Sequence, residues 1–286
     1  MNTNTSKNLL ITGSRGQLGS ELKNQLGEAP NIHYTDREEL DITDEKAIKA
    51  YIAQHPIDIV INCAAYTAVD KAEDEPELAN TINHIGAGIL AKHIPTIIHI
   101  STDYIFDGTN NRPYQPQDIP NPISVYGQTK LAGEKAIFAH AKTALIIRTA
   151  WVYSNYGHNF VKTILRLSQT KNTLNVVSDQ IGSPTYAKDL AQAILQILPQ
   201  IQPNTKIIGH YTNEGVCSWY DLAKAIIEET QQPCQINPIM TTEYPTKAKR
   251  PAYSVLDKTT LKNQYHLTIR HWRDALKDCL KTNQQP

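Results

Sequence analysis

The stretch that decides the fold is residues 7–26, KNLLITGSRGQLGSELKNQL. Its apolar run Leu9–Thr12 predicts a buried strand, glycines follow at positions 13, 16 and 19, and a helical stretch continues to Leu26. Glycines let a backbone turn tightly and approach a pyrophosphate, whose charge is favoured by the free amides of the next helix. The order predicts a dinucleotide site at Gly13, Gly16, Gln17, Leu18 and Gly19.

An acid on the second strand supports this site. Asp36 follows the run Ile32–Thr35, 20 residues after Gly16, where the residue that binds the cofactor ribose is expected. The neighbouring Arg37 can pair with the extra phosphate of NADP, whereas Asp36 would repel it, so we expect NADPH and leave NADH open. Further cofactor contacts are predicted at the adenine end and the nicotinamide ribose, from Asp41, Ile42, Ala64, Ala65 and Tyr66, and also from Tyr126 and Lys130.

The rest of the first half repeats the alternation of strand and helix, which predicts a parallel sheet with crossover helices. Most of the strand runs are apolar along their whole length, as expected when helices cover both faces of the sheet. The predicted fold class is α/β, a Rossmann-type doubly wound parallel sheet. The predicted strands are Leu9–Thr12, Ile32–Thr35 and residues 57–63, 96–101 and 144–148.

The pattern loosens beyond Trp151, where helices are separated by Pro-rich and Asn-rich connections. We predict a dinucleotide-binding domain at residues 1–150 and a smaller C-terminal lobe at residues 151–286 that mainly binds substrate, with an approximate boundary that elements can cross. The predicted helices of this lobe are residues 160–171, 187–198, 218–230 and 271–281.

Composition excludes several classes of function. The 286 residues carry 28 Lys and Arg and 28 Asp and Glu, dispersed along the chain, so we expect no nucleic-acid partner. No stretch approaches the roughly 20 apolar residues that cross a bilayer, and the polar start MNTNTSKN lacks the apolar segment of a signal peptide. The four cysteines lie far apart without the spacing of metal ligands. We therefore expect a cytoplasmic protein with no membrane contact.

Tyr126 and Lys130 open a predicted helix four residues apart, so both side chains share a face. Reduction of a ketone needs a hydride from the cofactor and a proton for the developing alkoxide, which a tyrosine can supply. Free tyrosine titrates near ~10, and lowering its pKa to about 7 requires roughly 4 kcal/mol of preferential stabilisation of the phenolate. A neighbouring ammonium provides part of this. We predict Tyr126 as the proton donor and Lys130 as its electrostatic partner.

The same spacing recurs at Tyr220 and Lys224, so spacing alone does not identify the site. Tyr126, however, follows Thr102 by 24 residues, and Thr102 ends an apolar strand run where ligands of open parallel sheets collect. Tyr220 lies in the second lobe without such a strand end before it. We therefore predict that Tyr220 and Lys224 form an exposed helical face and that Thr102 holds the substrate carbonyl oxygen.

Several longer motifs make the comparison with known families specific. The glycine spacing resembles that of extended short-chain dehydrogenases/reductases, and the ordered motifs resemble those of dTDP-4-dehydrorhamnose reductases from the first strand to about residue 251. The resemblance implies reduction of the 4-keto group of dTDP-4-dehydro-L-rhamnose to dTDP-L-rhamnose, the last step of dTDP-rhamnose synthesis. The motifs are GSRGQLG, LDITD, NCAAYTAVDKAEDEP, STDYIFDGT, NPISVYGQTKLAGE, RTAWVYS, DQIGSPT and YPTKAKRP.

The same resemblance assigns roles to individual residues. Tyr126 is implied as proton donor, Lys130 as its partner and Thr102 as the hydroxyl that orients them. Asn83 resembles a helix asparagine that supports the lysine through a water, although asparagines also cap helices. The residues implied around the sugar are Val69, Asp70, Thr102, Asp103 and Trp151, and those near the diphosphate are Gln180, Ser183 and Arg250.

Some members of the family form metal-bridged dimers through glutamates. This chain has no glutamate after Glu243, and Lys188 occupies a stretch where an acid is expected, so we predict no metal and either a monomer or a dimer without a metal bridge. Two other functions stay open: reduction or epimerisation of another nucleotide-linked keto-sugar, and a non-catalytic regulatory role toward methionine adenosyltransferase. The complete set of Thr102, Tyr126 and Lys130 argues against the regulatory role.

Overall fold

The structure is a computed structural model that describes residues 7–282, without the side chain of Thr282. The first six residues of the polar start, on which the prediction of no signal peptide rests, lie outside the described residues. A six-stranded parallel sheet forms the centre, in the order β10-β5-β4-β3-β1-β2. Its strands are β1 (Leu9–Thr12), β2 (Ile32–Thr35), β3 (Ile59–Asn62), β4 (Thr96–Thr102), β5 (Thr143–Thr149) and β10 (Lys206–His210).

Helices α1 to α6 connect these strands, and a π-helical stretch at Thr81–Gly86 joins α4 to α5. Along the described chain, no helix combines the length and the apolar character needed to span a membrane. The helices are α1 (Gln17–Leu26), α2 (Glu45–Gln54), α3 (Val69–Ala72), α4 (Pro76–Asn80), α5 (Ala87–His93), α6 (Val125–His140), α7 (Phe160–Ser168), α8 (Ala187–Ile197), α9 (Trp219–Thr230), α10 (Thr259–Tyr265) and α11 (Trp272–Thr282).

Each face of the sheet has its own apolar core. Successive strand residues point to opposite faces, so Leu9 and Ile11 join a core with residues of α1, α8 and α10, whereas Leu10 joins one with residues of α2, α5 and α6. Because both faces are covered, the strands are apolar at most positions, with single buried polar residues such as Asn62 in β3 and Arg148 in β5. The predicted Rossmann-type fold is therefore confirmed.

The smaller lobe packs α7, α9 and α11 around a separate core. Its short strands pair as β7 with β12, β8 with β11, and β6 with β9. The second half of the chain also returns to the main sheet: β10 pairs with β5, and α8 packs on α1. A division near residue 150 stays a prediction, with these two elements crossing it. The short strands are β6 (Val152–Tyr153), β7 (Thr173–Val177), β8 (Ile181–Gly182), β9 (Thr185–Tyr186), β11 (Cys217–Ser218) and β12 (Gln235–Ile239).

The strand order places a crevice at the carboxyl ends of the central strands. From β1 the chain goes outward to β2 and then back across to β3, so the crossovers leave β1 in opposite directions. Ligands of open α/β sheets bind at the carboxyl ends of the strands at such a reversal. The loops after β1, β2 and β3 therefore meet where the sequence predicts the dinucleotide.

Candidate active site

The glycine turn after β1 is closely packed against the loop that follows β3. Gly13 has a φ of 65°, and a Cβ there would lie 2.7 Å from the backbone nitrogen of Ala64. A Cβ at Gly19 would lie 2.3 Å from the carbonyl oxygen of Gly13. Gly16 precedes the first residue of α1, with no side chain capping the helix. The helix amides therefore stay available to an anion, and only glycine fits the turn.

We expect that Gly13→Ala weakens NADPH binding at least about tenfold and lowers the free energy of unfolding by about 1–3 kcal/mol, because the new methyl group combines a strained φ with a collision. Gly27→Ala is the matched control: Gly27 has a φ of 69°, and nothing lies within 4 Å of its Cβ position. It should lose stability but keep its affinity. Titration calorimetry with NADPH measures this, and equal affinity of Gly13→Ala and the wild type would contradict the placement.

A cleft of about 380 Å³ opens over the glycine turn. It is lined by the ends of β1, β2 and β3 and by the start of the π-helical stretch. Six of the predicted cofactor residues do not line it: Gln17, Leu18, Gly19, Tyr66, Tyr126 and Lys130. Leu18 and Gly19 are buried, the backbone of Tyr66 is hydrogen-bonded to Asn83, and Tyr126 and Lys130 are buried on α6. The predicted residues that do line it are Gly13, Gly16, Asp36, Arg37, Asp41, Ile42, Ala64 and Ala65.

Asp36, the acid that follows β2, is hydrogen-bonded to the glycine turn. The Asp36 carboxylate accepts hydrogen bonds from the backbone N–H groups of Arg15 and Arg37, at 3.1 and 2.8 Å. The Arg37 side chain is largely exposed and lies 3.5 Å from Asp41, while Arg15 pairs with Glu38 and Glu39. The guanidinium groups of Arg15 and Arg37 are thus both paired with neighbouring carboxylates, and Arg15, inside the glycine motif, is a cation that the sequence analysis did not single out.

Tyr126 lies in the first turn of α6, which Ser124 caps by accepting a hydrogen bond from the N–H of Gly127 at 3.2 Å. Its ring meets that of Tyr104 edge to face, with centroids 5.5 Å apart. Burial is the main reason that its pKa is raised to about 12; the carboxylate of Asp103 acts in the same direction, and a hydrogen bond with Thr102 opposes it. The structure therefore brings Tyr126, Thr102 and Asp103 together.

The protonation of Tyr126 differs from the expectation of a pKa lowered toward neutrality. Lys130 is buried and donates to the carbonyl oxygen of Ile100 at 2.7 Å, with His99 on its other side, and burial lowers its pKa to about 8. Burial raises the pKa of the Tyr126 phenol to about 12. Before cofactor binds, Tyr126 is thus a fully protonated acid.

A buried ion pair holds α6 against the sheet. Glu134 accepts hydrogen bonds from Arg148 of β5 at 3.0 and 2.7 Å and from Ser101 of β4 at 2.5 Å. The exposed fractions of the Arg148 and Glu134 side chains are 2% and 4%. Glu134 lies one helical turn after Lys130, so the pair fixes the face that carries the predicted catalytic groups. Sequence analysis missed it, although a glutamate at this helix spacing gives a weak signal.

The residues predicted around the sugar approach Tyr126 from several elements. Val69 packs against the apolar cluster that contains Tyr126. Asp70 is held by Arg250, with distances of 3.1 and 2.7 Å, so each is the other's partner in this state. Asp103 is buried, and burial raises its pKa to about 6, while hydrogen bonds with Ser254 and Thr102 act in the opposite direction.

Trp151 has a φ of 50°, which is strained for a bulky residue. Its indole stacks on that of Trp219 with ring centroids 3.6 Å apart, and the ring of Phe160 packs against Trp219. A Cβ at Gly182 would meet the Trp151 ring at 2.8 Å and Oγ of Ser254 at 2.9 Å. Trp219, which the sequence analysis did not single out, thus supports the predicted sugar wall from the second lobe.

Other predicted contacts are already used inside the protein. Ser183 donates to the carbonyl oxygen of Gly215 at 2.7 Å, and Gln180 donates to Thr241 at 3.1 Å. Asn83 is buried and donates to Thr129 at 3.1 Å, so it contacts α6 through the residue before Lys130. Ser183 and Gln180 therefore turn toward the interior of the second lobe, and the diphosphate contacts stay predictions.

The second Tyr–Lys pair lies on α9, where Lys224 pairs with Glu228 at 3.6 Å, with exposed fractions of 45% and 55%. Lys188, in the stretch where family members are said to carry an acid, pairs with Asp278 at 3.1 Å. Between residues 7 and 282, no group of three or more His, Cys, Asp or Glu side chains is arranged to hold a metal.

The fold and the glycine turn define the class of dinucleotide-binding oxidoreductases. More narrowly, the chain belongs to the family described as RmlD substrate binding domain, which matches residues 7–285. It is 42% identical over 278 residues to the spore coat polysaccharide biosynthesis protein SpsK of Bacillus subtilis, covering 96% of each chain. It is 40% identical to the dTDP-4-dehydrorhamnose reductase of Aggregatibacter actinomycetemcomitans, covering 94% of this chain and 97% of the relative.

Solved structures give the same picture. A dTDP-4-dehydrorhamnose reductase from Bacillus anthracis in complex with NADP superposes with a TM-score of 0.91 at 35% identity, covering 97% of this chain and 100% of that chain. The protein is therefore an enzyme of this reductase family.

Proposed function

We propose that the protein uses NADPH to reduce the 4-keto group of dTDP-4-dehydro-L-rhamnose, giving dTDP-L-rhamnose. The observation that carries the proposal is the buried group of Tyr126, Thr102 and Asp103 at the carboxyl end of β4, close to Lys130. The names of the similar reductases, and the NADP bound to one of them, support the choice of substrate and cofactor.

The residues of the cleft fit a dinucleotide. Gly13 leaves no room for a side chain over Ala64, and the uncapped start of α1 offers amides to the pyrophosphate. The backbone N–H groups of Arg15 and Arg37 both donate to Asp36, so two arginines begin close to the position where the extra phosphate of NADPH would need cations. When bound, NADPH supplies the hydride.

Tyr126 then supplies the proton. Because burial raises its pKa to about 12, the phenol stays protonated across the physiological range of pH. The alkoxide that forms at the sugar carbon is a stronger base than a phenolate, so the proton moves from Tyr126 to the alkoxide oxygen, giving the new hydroxyl and a phenolate. In this direction the reaction starts from a protonated tyrosine. Thr102 orients the phenol and the substrate oxygen, and the buried Asp103 accepts from the sugar.

Purified protein should oxidise NADPH when given dTDP-4-dehydro-L-rhamnose, with dTDP-L-rhamnose as the product. Absorbance at the nicotinamide band and product chromatography measure this, and parallel rates with NADH test the cofactor preference. Turnover only with another keto-sugar would overturn the substrate assignment. Cofactor binding without any turnover would favour a regulatory role.

We also propose a cytoplasmic location, a nucleotide-sugar as the ligand of the second lobe, and either a monomer or a dimer without a bridging metal. The ion pair of Lys188 with Asp278 supports the absence of a metal at this position, because it satisfies the acid within the chain. The balanced and dispersed charges support the absence of a nucleic-acid partner.

A further inference from the structure

Lys130 makes its contacts inside the sheet. Its Nζ lies 2.7 Å from the carbonyl oxygen of Ile100 and 3.1 Å from Nε2 of His99. The exposed fractions of His99 and Lys130 are 0% and 1%. His99 lies in β4, three residues before Thr102, and the proposed chemistry assigns it no task.

His99 ends a row of polar side chains that crosses three strands. Thr12, Asn62 and His99 are register partners on β1, β3 and β4, and all three are buried. The Thr12 hydroxyl lies 2.8 Å from Oδ1 of Asn62, and Nδ2 of Asn62 lies 3.1 Å from Nδ1 of His99. The row therefore connects the end of β1, beside the glycine turn, to Lys130.

The direction of each hydrogen bond in the row follows from one backbone group. The N–H of Ala64 can only donate, and it lies 3.1 Å from the side-chain oxygen of Asn62. This fixes the Asn62 amide with its NH₂ group toward His99. An amide NH₂ also only donates, so Nδ1 of His99 accepts, and the imidazole is neutral with its proton on Nε2.

The proton on Nε2 points at Lys130. An ammonium group has no lone pair and would oppose this N–H with one of its own hydrogens. A neutral amine accepts from Nε2 and still donates to the carbonyl oxygen of Ile100. The network is therefore complete only when Lys130 is uncharged.

We propose that His99 is a positioning residue for Lys130: in the protein without cofactor it donates its Nε2 proton to the lysine amine and so favours the neutral form of that amine. The consequence for catalysis rests on the role of Lys130 as electrostatic partner of Tyr126, because only the charged form of Lys130 can act on the phenol in that way. The proposal itself concerns only this chain and is tested without substrate.

The other titratable groups that act on Lys130 do not reverse this. Burial is the main reason that its pKa falls to about 8; Glu134 on the same helix and Cys63 after β3 act in the opposite direction. Glu134 is bound to Arg148, and burial raises the pKa of the Cys63 thiol to about 12, so that this thiol is uncharged. Burial and Lys130 both hold the pKa of His99 well below its usual value.

Nuclear magnetic resonance tests both ends of the contact. In cofactor-free protein labelled with ¹³C-lysine, the Cε signal that is absent from Lys130→Met should titrate near pH 8, below the ordinary lysine value of 10.5. In protein labelled with ¹⁵N-histidine, the imidazole signal that is absent from His99→Gln should show a proton on Nε2 and none on Nδ1. Both measurements use the wild-type protein and need a variant only for assignment.

The His99→Gln variant tests causation. A glutamine amide can turn its oxygen to Nζ and accept from an ammonium, so the Lys130 midpoint should rise by at least about one pH unit. His210→Gln is the matched control, since His210 is equally buried in the same sheet but bonds the carbonyl oxygen of Tyr114. It should leave the midpoint unchanged. A Lys130 that titrates with the surface lysines, an Nδ1-protonated or charged His99, or an unchanged midpoint in His99→Gln would each overturn the proposal.

Discussion

Tyr126→Phe is expected to lower turnover at least about 100-fold while NADPH binding stays within about twofold of the wild type. Phenylalanine keeps the ring that packs edge to face on Tyr104 and that joins the apolar cluster with Ala72 and Ala79. Only the phenolic oxygen is lost, and with it the proton for the alkoxide. The loss should therefore appear in kcat, with the free energy of unfolding changed by less than about 1 kcal/mol.

Tyr220→Phe is the matched control for this experiment. Tyr220 and Lys224 repeat the four-residue spacing on α9, and the lysine there is exposed and pairs with Glu228. Removing the Tyr220 hydroxyl should leave turnover within about twofold. Steady-state rates and NADPH titrations on the same preparations separate catalysis from binding. Equal losses in the two variants, or full turnover by Tyr126→Phe, would refute the assignment of the proton donor.

The first half of the fold could be predicted because its information is local. Leu9–Thr12 is buried at every position since both faces of the sheet are covered, and Gly13 follows at the point where the backbone must turn. The same holds for Tyr126 and Lys130, whose shared face follows from helix geometry alone. β10 is different: Lys206–His210 joins the sheet through its pairing with β5, which depends on packing between distant parts of the chain.

The parts of the site that escaped prediction are pairings between distant residues. Asp70 and Arg250 are 180 positions apart, and each had been assigned to a ligand before the structure showed them bound to each other. His99 lies in a largely apolar strand run, and the sequence analysis assigns it no role. Two residues advance a strand by ~6.6 Å, as from His99 to Ser101, and four residues advance a helix by ~6 Å, as from Lys130 to Glu134. These similar spacings let His99 meet Lys130 while Ser101 meets Glu134. The agreement between the strand spacing and the helix spacing matters only when α6 packs on β4, which the sequence does not reveal.

Glu134, which accepts hydrogen bonds from Ser101 and Arg148, leads to the largest expected change in stability. Glu134→Ala should lower the free energy of unfolding by about 3–5 kcal/mol, because it leaves the guanidinium of Arg148 buried without its counter-ion. The Ser101 hydroxyl loses its acceptor in the same substitution. Unfolding in urea, followed by circular dichroism, measures the difference.

A matched glutamate shows whether burial is the cause. Glu228 is also a helix residue paired with a cation, but Lys224 and Glu228 are both about half exposed, and Glu228→Ala should cost less than about 0.5 kcal/mol. Adding Arg148→Met to Glu134→Ala should recover part of the loss, because an apolar side chain needs no counter-ion. If the double variant were less stable than Glu134→Ala, the unpaired charge would not be the source of the destabilisation. Glu134 also fixes the helix face that carries Lys130 and Tyr126. If the double variant recovers stability but not turnover, the ion pair aligns the active site in addition to stabilising the fold.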